Sequence, residues 1–336
     1  MARWFNVAGP CRPDIHYMLP ATERLPDVMR LVRQQSYFGL HAPRQTGKTT
    51  AMLALAQELT SSGQYAAALL SLEVGAPFND DPGAAEAAML EEWLLAVRWQ
   101  LPAELQPVEW PTADPGARIG AALGSWAARS PRPLVLFLDE VDAVQDAALL
   151  SVLRQLRSGY ARRPGAFPGS LALIGLRDVR DYKVASGGSA RLTTASPFNI
   201  KVESLTLRDF TAAEVAALYA QHTADTGQQF TAAALDRAFE LTQGQPWLVN
   251  ALARQAVEVI APDPTTPIDV TQIDAARDRL IQRQDTHLDS LAERLREPRV
   301  RAVIEPLLAG TVPGALPADD LQFVQELGLA RIDPQA

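Results

Sequence analysis

The sequence is poor in the residues that build disulfide frameworks and metal centres. Cys11 is the only cysteine in 336 residues, and the four histidines are scattered. A disulfide within the chain is therefore excluded, and a zinc site of clustered cysteine and histidine ligands is not indicated. A single cysteine is typical of proteins of the reducing cytoplasm, where we expect this one.

Long apolar runs are also missing. No stretch reaches the ~18 apolar residues of a membrane span, and residues 1–6 lack the apolar segment of a signal peptide. We therefore expect no membrane partner. With 47% hydrophobic and 21% charged residues, the composition is that of a globular protein, and the length suits two or three domains.

Positive charge is in deficit. The chain has 31 Lys and Arg against 39 Asp and Glu, a net charge of −8. This balance does not favour DNA as a partner, although it leaves local basic patches open. The arginines of residues 277–301 alternate with acidic residues at helical spacing, which indicates a solvated, ion-paired face rather than a DNA-binding one.

Residues 42–50 are the most informative stretch. They match the phosphate-binding pattern G-x-x-x-x-G-K-[ST], except that Ala42 replaces the first glycine. Gly47 would let the backbone approach phosphate, Lys48 would reach the β- and γ-phosphates, and the Thr49 hydroxyl would bind Mg²⁺. The predicted nucleotide-binding residues of this loop are Pro43, Arg44, Gln45, Thr46, Gly47, Lys48, Thr49 and Thr50.

The flanking residues support this interpretation. The short apolar run 37–41 predicts a buried strand, and residues 49–59 place apolar side chains on one helical face. The motif requires this order of strand, loop and helix. The alternative is an ordinary strand, turn and helix.

A second motif follows about ninety residues later. Residues 134–138 are uninterruptedly apolar and lead into Asp139 and Glu140, as in a Walker B strand. Such a run suits a central parallel strand, at whose carboxyl end ligands bind. Asp139 would hold Mg²⁺ and Glu140 would polarise the attacking water. The alternative is a buried strand followed by an acidic turn.

The order of elements predicts an α/β domain followed by helices. We expect strands at 37–41, 66–72, 134–138, 171–175 and 198–202, with helices between them. After residue 205 only helical patterns follow, among them 212–226, 232–242, 246–260, 271–295, 299–309 and 318–327. The predicted division is a lead-in at 1–35, a P-loop core at 36–205, a helical lid at 206–262 and a C-terminal domain at 263–336.

This arrangement resembles the AAA-like P-loop ATPases of the STAND and origin-recognition branches, and is most similar to bacterial AAA-like ATP-binding proteins. The segments 41–50, 175–183 and 244–254 carry the resemblance. It implies a parallel five-stranded sheet flanked by helices, then an all-helical lid and a small winged-helix-like domain. Whether that last domain is complete is left open, because the chain ends where the wing should begin.

The resemblance also implies roles for several arginines. Arg177, at the end of an apolar strand, would sense the γ-phosphate, unless it is a surface arginine in a polar turn. A finger arginine completing a neighbouring subunit's site would come from Arg180, Arg191 or Arg44, and each of these is equally compatible with a solvated side chain.

For the base, the resemblance implies the residues near positions 15–20 and the lid. Tyr17 or Met18 would offer an apolar wall to adenine, and Pro246, within Gly-Gln-Pro at 244–246, would pack near it. Proline is also favoured at the first position of any helix, and both readings of Pro246 can hold together.

The resulting hypothesis is an ATPase that uses Mg²⁺ and ATP to drive or time assembly with itself or with a protein partner. Lys48, Glu140 and Arg177 would be its catalytic residues, and Thr49 and Asp139 its metal ligands. The alternatives are a slowly hydrolysing nucleotide-gated switch and a DNA-binding loader or transposition-helper ATPase.

Overall fold

The computed structural model describes residues 3–176, 200–283, 295–310, 318–327 and 329–330. The described residues group into two compact units. The core unit comprises residues 21–42 and 48–207, and the helical unit comprises those of 1–20, 43–47 and 208–336. The four-part division made from the sequence stays a prediction.

The core unit alternates strands and helices. Its α-helices are α1 (Val28–Arg33), α2 (Lys48–Ser61), α3 (Pro82–Gln100), α4 (Arg118–Arg129) and α5 (Asp146–Gly159). Its strands are β1 (Tyr37–His41), β2 (Ala66–Ser71), β3 (Leu134–Asp139), β4 (Ser170–Gly175) and β5 (Lys201–Thr206). The strands form one sheet in the order β2-β3-β4-β1-β5, with every neighbouring pair parallel. The predicted parallel α/β sheet is confirmed.

The apolar run of β3 is explained by burial on both faces of the sheet. Leu134, Leu136 and Leu138 pack into a cluster with α3, α4 and α5, whereas Val135 and Phe137 pack into another with α1 and α2. Successive side chains of a strand point to opposite faces, so a strand covered on both sides needs apolar residues at every position.

The fifth strand is displaced from its predicted position at 198–202. It spans Lys201–Thr206, and none of its residues is fully buried. β5 lies at an end of the sheet order and pairs with β1 through a shifted register near Tyr37. The earlier predicted start rested on the apolar residues just before the strand. The limits of an edge strand are difficult to read from sequence, because it lacks the continuous apolar run that marks a buried strand.

The helical unit contains six α-helices among its described residues. They are α6 (Ala212–Thr226), α7 (Ala232–Thr242), α8 (Pro246–Gln255), α9 (Val270–Arg283), α10 (Pro298–Leu308) and α11 (Ala318–Glu326). Thr211 and Thr231 cap α6 and α7 by accepting hydrogen bonds from Glu214 N and Ala234 N. The helix predicted at 246–260 is α-helical up to Gln255 and continues as a π-helical turn at Ala256–Ile260. Residues 284–294 of the helix predicted at 271–295 lie outside the described residues.

A mostly aromatic and aliphatic core joins the N-terminal segment to this unit. Phe5 and Tyr17 pack together with Tyr219 of α6, and Phe5 lies 4.8 Å from Tyr17 and 5.5 Å from Tyr219 between ring centroids. A separate small cluster holds α10 against α11 through Val300, Val303, Phe323 and Val324. The winged-helix assignment of this last part stays a prediction.

Candidate nucleotide-binding site

The loop between β1 and α2 has the backbone that a phosphate cradle needs. Gln45 and Gly47 adopt left-handed conformations, with φ of 59° and 85°. Right- and left-handed residues in close succession turn backbone N–H groups toward one side and create an anion-binding concavity. α2 starts immediately afterwards at Lys48, so the positive end of its dipole faces the same place.

Ala42, the departure from the usual motif, is accommodated. It is buried, and its φ is not among the positive values of the chain. Its N–H donates to Gly175 O at 3.4 Å, and its carbonyl accepts from Lys48 Nζ at 2.8 Å. A position with negative φ does not require glycine. Because Lys48 Nζ donates to the Ala42 carbonyl, the lysine side chain is folded back toward the start of the loop. A bound phosphate would offer its ammonium group a negatively charged partner there.

Thr49 and Asp139 are brought together by the sheet. Thr49 stands in the first turn of α2 and Asp139 ends β3, and Thr49 Oγ1 donates to Asp139 Oδ2 at 2.8 Å. Asp139 is 4% exposed, and burial raises the pKa of its carboxyl group, against the opposing effect of the Thr49 hydrogen bond. A hydroxyl and a carboxylate at this distance are hard oxygen donors of the kind that Mg²⁺ takes beside phosphate oxygens. The residues present therefore fit the ion that the motif implies.

Glu140 is held in a strained backbone conformation next to this pair. Its φ of 56° is left-handed, which is rare for a residue with a side chain, and its N–H donates to Asp139 Oδ1 at 2.9 Å. Burial, and then the charges of Asp139 and Asp142, raise the pKa of Glu140. Asp142 in turn accepts from Leu176 N at 3.1 Å, which ties the end of β4 to this acidic turn. A half-buried carboxylate with a raised pKa suits a group that accepts a proton.

A cavity of about 390 Å³ lies within the helical unit. Its walls include Val7 and Ala8 of the N-terminal segment, Trp247 and Ala251 of α8, and Gln45 of the P-loop. Trp247 is fixed by its indole N–H, which donates to Val7 O at 2.9 Å. The cavity is therefore partly apolar, has an aromatic wall, and includes a residue of the phosphate loop.

Polar side chains line the same cavity. Arg254 Nε donates to Glu258 Oε2 at 2.9 Å, and Arg283 and Gln255 also line the space. Gln255 Oε1 is buried and accepts no hydrogen bond within the described part of the chain.

The residues predicted to contact the base, and the predicted arginines, differ in their burial and in whether the structure describes them. Tyr17 is 1% exposed, and Met18 is bonded through its backbone to Gln221 at 2.9 and 3.3 Å. Pro246 is buried at the first turn of α8, and Arg44 is exposed. Arg177, Arg180 and Arg191 lie outside the described residues. The roles assigned to all of these from the sequence stay predictions.

The sequence patterns did not point to four of the residues that line the cavity, which are Val7, Ala8, Trp247 and Ala251. They are small or apolar side chains from two distant segments, and only the fold brings them to one place. Trp247 had one detectable signal, since it directly follows the Gly-Gln-Pro of 244–246.

Among the described residues, no cluster of three or more acidic, histidine or cysteine side chains is arranged to hold a metal ion. A search of the same residues finds no helix that could span a membrane.

No protein-family model matches the chain, and no curated protein matches it in sequence. Solved structures do match its fold. A Walker-type ATPase of Pyrococcus abyssi has a TM-score of 0.65 at 12% identity, covering 96% of this chain and 93% of its own. The ORC2 protein of Aeropyrum pernix has a TM-score of 0.53 at 12% identity, covering 98% and 90%. A RuvB variant of Thermotoga maritima has a TM-score of 0.50 at 14% identity, covering 94% and 89%.

These matches extend over nearly the whole of each chain. The chain has the fold of the AAA-like P-loop ATPases.

Proposed function

We propose that the protein binds ATP with Mg²⁺ and hydrolyses it. The observation that carries the proposal is the 2.8 Å contact of Thr49 Oγ1 with Asp139 Oδ2, with Glu140 as the next residue. A protein that only bound phosphate would need the loop and the lysine. A buried carboxylate beside the α2 hydroxyl, followed by a second carboxylate with a raised pKa, adds what hydrolysis requires.

Each residue of the proposed site would have a distinct role in this reaction. Lys48 would leave the Ala42 carbonyl and contact the β- and γ-phosphates, and Thr49 and Asp139 would hold Mg²⁺. The ion would neutralise charge on the phosphate oxygens. Glu140 would orient a water molecule and accept its proton, for which its half-buried position and raised pKa are suited.

Calorimetric titration with ATP tests these roles. Lys48→Ala should lose ATP affinity by at least tenfold, because it removes the cation that faces the phosphates. Asp139→Asn should keep binding ATP but lose the dependence of affinity on Mg²⁺. Unchanged titrations for both variants would reject the site.

We also propose that the cavity of the helical unit receives the base. Gln45 lines it and belongs to the loop that carries Lys48, and Trp247 offers an aromatic surface of the kind on which a base stacks. Ala251→Leu would fill part of the cavity. It should weaken ATP binding by tenfold or more and leave tripolyphosphate binding unchanged, whereas the matched variant Ala217→Leu, on the exposed face of α6, should change neither. Equal losses for ATP and tripolyphosphate would contradict the assignment.

We propose further that hydrolysis drives or times assembly, with a second copy or a protein partner. The fold is shared with ORC2 and RuvB, and an exposed Arg44 in the loop could act on a neighbouring subunit. Sedimentation of Glu140→Gln with and without ATP and Mg²⁺ tests this. A shift to a larger species only with ATP supports assembly. A monomer in both conditions, with turnover below a few per hour in the wild type, would instead support a slow nucleotide-gated switch.

A further inference from the structure

Exposed apolar side chains occur on the connection between β2 and β3. In α3, Leu95 is 60% exposed and Trp99 is 79% exposed, and Val108 in the segment after the helix is 76% exposed. Leu95 and Trp99 are four residues apart, so they are neighbours on one face of the helix.

The segment that carries Val108 runs back along α3. Gln106 Nε2 donates to Leu101 O at the end of the helix, and Trp110 Nε1 donates to Leu90 O, about three turns earlier in the helix, both at 2.7 Å. Val108 lies between these two anchors and is therefore held beside the helix. Leu95, Trp99 and Val108 are called the α3 patch below.

The fold does not need these side chains. α3 is packed onto the core unit through its other face, where Met89, Trp93 and Val97 are completely buried. Scattered exposed apolar residues are ordinary, but an exposed tryptophan beside an exposed leucine on one helical face, with an exposed valine on the segment anchored to that helix, is typical of an interaction surface. Tryptophan is also among the residues most enriched where binding energy concentrates.

The charges around the patch select the kind of partner. The exposed charged residues of 90–110 are Glu91, Arg98, Glu104 and Glu109, three carboxylates and one guanidinium. Glu91 is one turn before Leu95 on the same helical face, and Glu109 is next to Val108. None of the four forms an ion pair with another residue in the described ranges, so their charges are available to a partner.

We propose that the α3 patch docks a segment of a partner protein in which apolar or aromatic residues stand next to lysines or arginines. Tryptophan and leucine would take the apolar side chains, and the glutamates would take the cations. A symmetric contact with a second copy is disfavoured, because the twofold axis would bring the glutamates of one patch against those of the other.

Selection of displayed random peptides on the full-length protein tests the proposal, with Trp99→Ser as the counter-selection target. Trp99 is mostly exposed, so this variant should keep the wild-type circular dichroism spectrum and melting temperature. We expect enriched peptides that combine an aromatic or large aliphatic residue with two or more lysines or arginines. Failure to enrich any peptide that depends on Trp99, or enrichment of acidic ones, would overturn the proposal.

Affinities of a selected peptide, measured by fluorescence anisotropy, sharpen the test. Trp99→Ser should weaken binding about thirtyfold or more, as for a central interface residue. The double variant Glu104→Gln, Glu109→Gln should weaken it severalfold and reduce its dependence on salt. Val202→Ser, which alters an exposed valine elsewhere on the core unit, should have no effect. Self-association that Trp99→Ser abolishes would show that the patch binds a second copy, and would also overturn the proposal.

Discussion

Gly244 and Gly227 offer a matched test of how the helical unit is packed. Both are left-handed, with φ of 79° and 82°. A Cβ at Gly244 would stand 1.9 Å from the carbonyl oxygen of Phe210, whereas a Cβ at Gly227 would meet no atom within 4 Å. Gly244 O also accepts a hydrogen bond from Phe210 N at 2.9 Å, so the two backbones cannot separate without losing it.

The two alanine variants should therefore differ in cost. Gly227→Ala places an ordinary residue in a left-handed conformation, at about 1 kcal/mol. Gly244→Ala carries the same cost, and adds about 1–3 kcal/mol for overpacking against backbone and about 1 kcal/mol for the weakened hydrogen bond. We expect a total of about 3–5 kcal/mol.

Hydrogen exchange of α6 and α8, read by mass spectrometry, gives the free energy of opening this unit in each variant. Exchange should be much faster in Gly244→Ala and only slightly faster in Gly227→Ala. Equal protection in the two variants would refute the packing argument. Packing would then give no reason for a glycine at position 244.

Two further predictions concern titrating groups. Burial and the charges of Asp139 and Asp142 raise the pKa of Glu140 above 4.5, so the acid limb of the pH profile of kcat/KM for ATP hydrolysis should lie above that value. Asp142→Asn should move the limb to lower pH, and a shift to higher pH would contradict this. In the helical unit, the hydrogen bond from Arg208 lowers the pKa of Glu214 to about 2. Because that pKa is depressed in the folded state, the stabilisation is present above the ordinary 4.5 and is lost as the pH falls toward 2. Arg208→Ala should return the Glu214 pKa toward 4.5 in an NMR titration, and an unchanged value would show that the pair is not formed in solution.

Sequence reasoning succeeded where local chemistry dictates local structure. The strand at 37–41, the helices at 212–226 and 232–242 and the apolar β3 run coincide with observed elements or differ by a residue. Apolar periodicity and threonine caps are read directly from neighbouring residues. The two motifs assigned Thr49 and Asp139 to one Mg²⁺ ion, and their side chains lie 2.8 Å apart. Their role as metal ligands stays a prediction.

The rest depended on contacts between distant residues. β5 was displaced because its pairing with β1, rather than its own apolar content, decides where it starts. The cavity wall joins Val7 to Trp247 across 240 positions of sequence, so no local pattern could reveal it. The left-handed conformation of Glu140 was likewise beyond prediction, since glutamate has no preference for it.

Hydrolysis is separated from binding by measuring phosphate release and ATP binding together for the wild type and two glutamate variants. We expect Mg²⁺-dependent release by the wild type and by Glu109→Gln, which replaces an exposed carboxylate of the core unit. We expect Glu140→Gln to bind ATP as the wild type does but to release phosphate about a hundredfold or more slowly, since the base is lost while the phosphate contacts remain. Wild-type release rates from Glu140→Gln, or no release from the wild type while it binds ATP, would contradict the proposed hydrolysis.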